Sequence, residues 1–149
     1  MQDFLLASFH HVAVFALVIV LGAELVLVRA GLDAAGVARL GRLDAAYGGL
    51  AGLVLVAGLL RVVFGAAGWE YYVGNWVFWT KMGLFALVGL ISVVPTIAIL
   101  GWRQRQAAES GFVPDAKEVL RLRWLIHLEA GLLLLIPVVA AAMARGIGL

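Results

Sequence analysis

Four long apolar stretches, separated by short polar segments, fill nearly all of the chain. They cover residues 4–28, 47–64, 76–100 and 125–143. Each is close to the roughly 20 residues that a helix needs to cross a bilayer core of about 30 Å. Because lipid offers the backbone no hydrogen bonds, a spanning segment must be a helix or part of a closed barrel, and these stretches are too long for barrel strands. The pattern predicts an all-α integral membrane four-helix bundle of up-down-up-down topology.

Local signals extend two of these helices beyond their apolar stretches. Asp115 follows Pro114 and precedes the last apolar stretch, so it predicts the N-cap of a fourth helix that runs to Arg145. Asp33, which follows Gly31, predicts in the same way that the second helix begins well before its apolar residues. The first turns of both helices would then lie at the membrane surface.

The composition agrees with a membrane protein. Apolar residues make up 64% of the chain, charged residues make up 13%, and the mean hydropathy is +1.07. Four spans leave no room for a soluble module in 149 residues, so we expect a single transmembrane domain over residues 1–149. The absence of cysteine excludes disulfides and thiolate metal sites. The basic residues lie at helix ends, so the pI of about 9.4 does not indicate a nucleic-acid partner.

The basic residues also predict the orientation of the bundle. An even number of spans places both termini on one face, together with the loop of residues 65–75. Eight of the 11 Lys and Arg residues lie toward the opposite face, with the loops 30–46 and 102–124. They are Arg29, Arg39, Arg42, Arg103, Arg105, Lys117, Arg121 and Arg123. Cytoplasmic loops carry an excess of Lys and Arg, so we expect that face in the cytoplasm and both termini in the periplasm of a bacterial inner membrane.

Several ionisable residues lie within the predicted spans. Such a group costs at least a few kcal/mol in a span, so it normally faces the bundle interior and has a partner or a function. The outer part of the bilayer holds His10, His11, Arg61 and Lys81, which we name the outer cluster. The inner half holds Glu24, His127 and Glu129, with Arg29 at the end of the first span. We predict that all of these residues are buried polar groups.

The outer cluster predicts a ligand site. A histidine can ligate haem iron, and Arg or Lys can pair with the haem propionates. We therefore expect His10 or His11 as the iron ligand, Arg61 or Lys81 against the propionates, and haem b as the cofactor. His127 differs in height from these histidines by roughly 15 Å at 1.5 Å per residue, which disfavours a bis-histidine haem.

A structural role is the alternative interpretation of the outer cluster. A histidine can hydrogen-bond a neighbouring helix, and Arg61 and Lys81 can extend their charged ends to the outer interface. The protein would then be a non-enzymatic bundle or an accessory subunit. It would pack against other membrane subunits or against copies of itself, with the lipid bilayer as its surroundings.

The inner polar residues allow three interpretations. Glu24, His127 and Glu129 could form a second polar cluster in the inner half of the bundle, or they could pair with Arg29, Arg121 and Arg123 at the cytoplasmic edge, and we expect the pairing. Proton passage from His10 to Glu24 and the acids of the fourth helix is the weaker interpretation. The two residues are separated by about 21 Å along the first helix at 1.5 Å per residue, and apolar residues fill their face between them.

Four segments carry a family resemblance. They are Phe9-His10-His11-Val12-Ala13, Gly22-Ala23-Glu24-Leu25, Arg42-Leu43-Asp44-Ala45-Ala46-Tyr47-Gly48 and Trp79-Thr80-Lys81. They closely resemble an uncharacterised bacterial inner-membrane family of four-helix proteins, and the likeness covers the whole chain. This resemblance does not imply any particular activity.

More distantly, the predicted arrangement of helices is similar to that of HemJ-type protoporphyrinogen oxidases and CopD-type membrane proteins. In HemJ proteins a helix-one histidine, a basic residue at the end of that helix and a helix-three lysine recur in a haem-binding bundle. His11 (or His10), Arg29 and Lys81 match those places in order. The resemblance implies a haem site at these residues. The histidine-to-arginine spacing differs, and the later Arg-Asn-Glu segment of HemJ proteins is not present, so the question of enzyme activity stays open.

Overall fold

The computed structural model describes residues 1–109 and 111–148, and every regular element in these ranges is a helix. The helices are α1 (Gln2–Leu27), α2 (Ala34–Phe64), α3 (Trp69–Val73), α4 (Trp76–Ala108) and α5 (Ala116–Ala144). All but the short α3 are long and apolar enough to cross a membrane. The predicted all-α bundle with four membrane-spanning helices is confirmed.

Side-chain caps explain where three of the long helices begin. Asp33, Asn75 and Asp115 each accept a backbone N–H from two or three residues further on, at 2.7–2.8 Å. Each cap satisfies a donor that has no partner inside its own helix. The predicted helix starts at Asp33 and Asp115 are confirmed, and Arg145 follows the last residue of α5 as predicted.

The helices extend further than the predicted spans. The predicted second span begins at residue 47, whereas α2 begins at Ala34, as Asp33 predicts, and already turns a buried face inward at Val37 and Leu40. In the same way, α4 continues past residue 100 to Ala108. The physical reason is that an apolar stretch marks only the part of a helix in lipid, whereas its interfacial turns keep polar residues on their outer face.

The four long helices pack in chain order around a shared core. Helix α1 packs against α2, α2 against α4, α4 against α5, and α5 against α1, which closes the ring. Large aliphatic side chains such as Leu17, Leu40, Ile99 and Ile126 fill its interior. The outward surface is also apolar, as expected for helices that face lipid on one side and each other on the other.

The two ends of the bundle differ in chemistry. At one end, which we name the termini end, Asp3 Oδ1 accepts the backbone N–H of Ala66, and Asn75 Nδ2 donates to Ile147 O. The loop predicted at residues 65–75 contains α3 there, whose Tyr71 hydroxyl donates to Met143 O at 2.8 Å. The opposite end, which we name the basic end, carries the α1–α2 and α4–α5 connections and the eight cations given above.

Candidate functional site

Polar side chains from four helices meet in the half of the bundle nearer the basic end. They are Glu24 of α1, Asp44 and Tyr47 of α2, Thr96 of α4 and Glu129 of α5, and we name them the acid cluster. The exposed fraction is 2% for Glu24, 7% for Asp44, 5% for Tyr47 and 1% for Glu129. Three acids are therefore withdrawn from both water and lipid in a bundle whose other buried residues are mainly apolar.

Helical periodicity explains why these acids point inward. Glu24 continues the buried stripe of Leu17 and Leu21 at spacings of four and three residues. Glu129 lies in the same way between Ile126 and Leu133 on the buried face of α5. The acids thus occupy positions where the packing of each helix would otherwise call for an apolar side chain.

On α2 the buried stripe reaches Asp44 from Val37 and Leu40 and continues to Tyr47. The tyrosine lies one helical turn beyond the aspartate, so both side chains project from the same face of α2. This face packs against α1 and α4. The aspartate is thereby brought within reach of the first and third membrane-spanning helices.

The three carboxyl groups lie within electrostatic range of one another. Asp44 and Glu129 act on Glu24, and Asp44 acts on Glu129. Tyr47 also lies within electrostatic range of all three carboxyl groups. The partners of each buried carboxyl are thus other acids or neutral hydroxyl groups.

Hydrogen bonding distinguishes the three acids. Thr96 Oγ1 donates to Asp44 Oδ1 at 2.7 Å, so this oxygen is satisfied. Glu129 Oε1 is buried and has no hydrogen-bond partner in the part of the chain that the structure describes. A buried carboxyl oxygen without a donor is costly, since about nine in ten or more buried polar groups in proteins are paired. Glu129 is therefore the acid whose environment is incomplete.

The cluster is not arranged as a metal site. Among residues 1–109 and 111–148, no three His, Cys, Asp or Glu side chains converge in a way that could hold a metal ion. A proton needs only one oxygen and a neighbour that can share it, which is what facing carboxyl groups provide. The geometry is therefore suited to proton binding.

The structure corrects the predicted pairing of the inner residues. Glu24 and Glu129 are buried as predicted, but among the described residues they lie near other acids and no ion pair joins them to an arginine. Arg29 and His127, predicted as buried, are exposed. Arg29 lies beyond the end of α1, and His127 is rotated about 100° from the buried Ile126, its neighbour on α5. The arginines Arg121 and Arg123 are exposed as well.

Asp44, Tyr47 and Thr96 are functional candidates that the sequence interpretation did not select. Asp44 lies in the part of the predicted second helix that precedes its membrane span, and Tyr47 and Thr96 lie on predicted helices without an assigned role. The signal was present in the spacing: Val37, Leu40, Asp44 and Tyr47 recur every three or four residues. An aspartate that continues such a stripe lies on the buried face of a helix.

The outer cluster is partly assembled. His10 lies near Arg61 and Lys81, and its ring carbon Cε1 lies 3.3 Å from the point where a Cβ on Gly58 would stand. His10 Nδ1 and Arg61 Nε are buried without hydrogen-bond partners in the described residues. Lys81 Nζ lies 5.2 Å from the centre of the Phe78 ring. These three predicted ligand residues therefore share one site between α1, α2 and α4.

His11 takes no part in that site. It is exposed on the outer surface of α1, and its Nδ1 lies 2.6 Å from the carbonyl oxygen of Ala7. The rings of His10 and His11 are 6.1 Å apart and nearly perpendicular, so only one of the two histidines points into the bundle. His10, and not His11, therefore lies beside Arg61 and Lys81, and which histidine would ligate a haem iron stays a prediction.

An apolar layer separates the two polar clusters. On α1 the buried residues between His10 and Glu24 are Ala13, Leu17 and Leu21, over about 21 Å at 1.5 Å per residue. On α2 the buried residues Val54 and Ala57 fill the corresponding level. Water at the acid cluster would thus come from the basic end.

Comparison with known proteins identifies a family for this chain but does not identify an activity. A family model described as "Predicted membrane protein (DUF2214)" matches residues 2–148. Neither a curated protein nor a solved structure matches the chain. The resemblance to HemJ-type and CopD-type proteins therefore stays a prediction. The predicted membership of an uncharacterised four-helix membrane family is confirmed, and the chain belongs to the DUF2214 family of predicted membrane proteins.

Proposed function

We propose that this membrane protein binds a proton at the acid cluster and couples proton uptake and release to the packing of its four spanning helices. The observation that carries the proposal is Glu129, whose carboxyl oxygen Oε1 is buried without a donor in the described residues while the side chain faces two other acids. A proton on Glu129 removes the charge of this buried group, which then needs no cation as a partner.

The electrostatic cost of ionisation supports this proposal. An unpaired carboxylate in an apolar interior costs far more than a neutral carboxylic acid, so a buried group gives up its charge where it has no counter-ion. Two facing carboxyl groups that cannot both ionise share one proton. Here three acids face one another from α1, α2 and α5. The cluster therefore retains protons that isolated acids would release.

Coupling to helix packing follows from the placement of the acids. Because Glu24, Asp44 and Glu129 belong to three different helices, each ionisation adds repulsion between helices. Protonation removes that repulsion and allows carboxyl-to-carboxyl hydrogen bonds. The basic end of the bundle would open when protons leave and close when they bind.

Proton exchange takes place with one side of the membrane in this proposal. Glu24 lies three residues before the end of α1, and Asp44 lies two residues after the interfacial Arg42. The apolar layer of Leu17 and Leu21 separates the cluster from the termini end. The protein therefore responds to protons on the side of its basic end, and passage across the bilayer would require that layer to take up water.

Infrared difference spectroscopy of the reconstituted protein tests the proposal. Protonated carboxylic acids absorb apart from carboxylates, so a pH step should show a carbonyl band that Glu129→Gln and Glu24→Gln each reduce. Glu70→Gln is the matched control, since Glu70 is exposed in the short helix α3. Spectra in which Glu129→Gln leaves the band unchanged would overturn the proposal.

A second function is favoured by the outer cluster. We propose that it binds a carboxylate-bearing ligand. The most specific version of this proposal is haem b, with His10 as the iron ligand and the propionates on Arg61 and Lys81. The observation in support is the pair of buried polar atoms without partners in the described residues, His10 Nδ1 and Arg61 Nε. The His10 ring packs against Gly58 on one side, so a ligand would approach from the side of the two cations.

The absorption spectrum of the purified protein tests this second proposal. A Soret band that is lost in His10→Ala and weakened in Arg61→Gln and Lys81→Met would support a haem site. His127→Ala is the matched control, because His127 is an exposed histidine on the surface of α5. A colourless protein from haem-replete cells would favour the non-enzymatic bundle, and co-purifying membrane subunits or self-association would then be its expected partners.

A further inference from the structure

A cavity of about 360 Å³ lies between α4 and α5, near the basic end and apart from both polar clusters. Its walls are mainly apolar and include Leu125, with Val94 and Ile97 exposed on the outer surface of the bundle. Its mouth carries charged side chains, of which Arg105 and Arg121 are positive and Glu118 is negative. The cavity thus combines an apolar interior with a basic entrance.

Small residues on α4 create the space. Ala98 and Gly101 lie on the side of α4 that lines the cavity, and a Cβ added to Gly101 would meet no atom within 4 Å. Trp102 lies beside them, 3% exposed, and its Nε1 donates to Glu118 Oε2 at 3.0 Å. The indole orients this carboxylate without removing its charge, so the two guanidinium groups outnumber it and leave the mouth positive.

The arginines are placed to meet a ligand at the membrane surface. The Arg105 guanidinium carbon lies 5.7 Å from the centre of the Phe112 ring, which orients the group by a cation–π contact. Arg121 is exposed on the first turns of α5. A planar guanidinium can grip a phosphate through two parallel hydrogen bonds. Both groups are therefore suited to a phosphate ester in the headgroup layer.

We propose that this cavity binds one anionic phospholipid from the leaflet at the basic end. The phosphate would lie on Arg105 and Arg121, and one acyl chain would occupy the space between α4 and α5. From Arg105 to Val94 the cavity extends over about 16 Å at 1.5 Å per residue, which accommodates most of an acyl chain in one leaflet. Basic pockets between membrane helices on the cytoplasmic side are typical sites for anionic headgroups.

Charge favours a lipid over a second copy of the chain. A neighbouring copy in the same orientation would bring its own basic end, with eight of the 11 cations, against the same arginines. Like charges at one depth repel, whereas an anionic headgroup neutralises them.

Lipid retention by the purified protein tests the site. The protein is reconstituted with equal phosphatidylglycerol and phosphatidylcholine, extracted in mild detergent, and bound lipid is counted by native mass spectrometry. We expect retained phosphatidylglycerol in the parent protein and about 30-fold weaker retention in the variant R105Q/R121Q, since each basic residue contributes about fivefold at a membrane surface. The matched control R39Q/R42Q removes two exposed cations at the same end, on α2, and should keep its lipid.

A second pair of variants tests the acyl-chain cavity without changing any charge. Gly101→Leu fills the cavity, and we expect it to lose the lipid while its circular dichroism stays that of the parent. Gly89→Leu is the control, because Gly89 lies on the same helix, does not line the cavity, and would likewise place a Cβ with no atom within 4 Å. Equal loss in Gly101→Leu and Gly89→Leu, or in both arginine pairs, would overturn the proposal.

The same preparation tests whether the bound anion is a phospholipid headgroup or free phosphate. Inorganic phosphate at high concentration should neither displace phosphatidylglycerol nor raise the thermal stability, because it lacks the acyl chain. Displacement by phosphate alone would show that the arginines bind an anion without the cavity. Equal retention of phosphatidylcholine would show that headgroup charge plays no part, and either result contradicts the proposal.

Discussion

Thr96 and Asp44 are joined by a hydrogen bond of 2.7 Å, in which Thr96 Oγ1 donates to Asp44 Oδ1 across the bundle. The two residues lie on α4 and α2, so the bond links two membrane-spanning helices. The bond also provides Asp44 with a hydrogen-bond donor. Glu129 Oε1 has no such donor among the described residues. Asp44 is therefore the anchored acid of the cluster, and Glu129 is the acid that gains most from a proton.

Replacing Thr96 should test the structural part of this relationship. Thr96→Val keeps the shape but removes the donor, so Asp44 is left with a buried oxygen unsatisfied. We expect the free energy of unfolding to fall by about 1 to 2 kcal/mol, the usual range for a bond of this kind. Thr96→Ser retains the hydroxyl and should stay close to the parent. The measurement is thermal or denaturant unfolding in detergent, and equal stability of the Val and Ser variants would show that the bond contributes nothing.

The facing acids should be energetically coupled. Glu24→Gln and Glu129→Gln each remove one ionisable carboxyl and so relieve repulsion for the other. A double-mutant cycle should therefore give a coupling free energy of about 0.5 to 3 kcal/mol, as contacting residues do. Glu24→Gln combined with Glu118→Gln is the control, since Glu118 is exposed and bonded to Trp102. Additive effects in both cycles would mean that the acids do not interact.

The sequence predicts the helices well because lipid imposes a simple rule. A spanning helix must be apolar over about 20 residues, so the four stretches locate α1, α2, α4 and α5 directly. Outside the lipid, capping residues determine where a helix begins, and Asp33 and Asp115 correctly identify the starts of α2 and α5. Burial of Glu24 and Glu129 was also predicted, because an acid in a span is costly wherever it faces lipid.

The partners of those acids could not be predicted in the same way. Arginines at the cytoplasmic edge were the nearest counter-charges in the sequence, yet Arg121 and Arg123 point outward on α5. Which side chains meet depends on the rotation of each helix about its axis. That rotation is determined by packing between helices, as in the case of Asp44 and Thr96, which are 52 residues apart. A single sequence carries no direct signal of such a contact.

Gly58 should be sensitive to a methyl group because His10 packs against it. A Cβ at Gly58 would lie 3.3 Å from His10 Cε1, whereas one at Gly52 on the same helix would meet no atom within 4 Å. Gly→Ala in a helix normally stabilises by up to about 1 kcal/mol. We expect Gly52→Ala to show that gain and Gly58→Ala to lose it or become destabilising, since overpacking costs about 1 to 3 kcal/mol. The melting temperatures of the two variants test this expectation, and equal values would contradict the packing of His10 against Gly58.

Asn75 should hold the termini end together through two separate bonds. Its Oδ1 accepts from Val77 N at 2.8 Å as the cap of α4, and its Nδ2 donates to Ile147 O at 3.2 Å. Asn75→Ala loses both bonds, and we expect a loss of about 2 kcal/mol in unfolding free energy. Asn75→Ser keeps a capping oxygen and loses only the donor to Ile147, so about half of that loss is expected.

Protease accessibility of the C-terminal residues tests the bond to Ile147 separately from the cap. Asn75→Ala and Asn75→Ser both remove that bond, so both should expose the end of the chain to cleavage earlier than the parent does. If the two variants lose the same stability, the cap contributes nothing and the bond to Ile147 accounts for the whole effect.

The orientation in the membrane is the last prediction, and it depends on the unequal distribution of cations. Eight of the 11 Lys and Arg residues lie toward the basic end, so that end should be cytoplasmic and the termini periplasmic in a bacterial inner membrane. The chain has no cysteine, so single cysteines report without background. Ala67→Cys lies in the segment between α2 and α3, and Ala107→Cys lies near the end of α4; both positions are exposed. In intact cells an impermeant maleimide should label Ala67→Cys at once and Ala107→Cys only after permeabilisation. The reverse pattern would place the acid cluster on the periplasmic side, and the proton that it binds would then come from outside the cell.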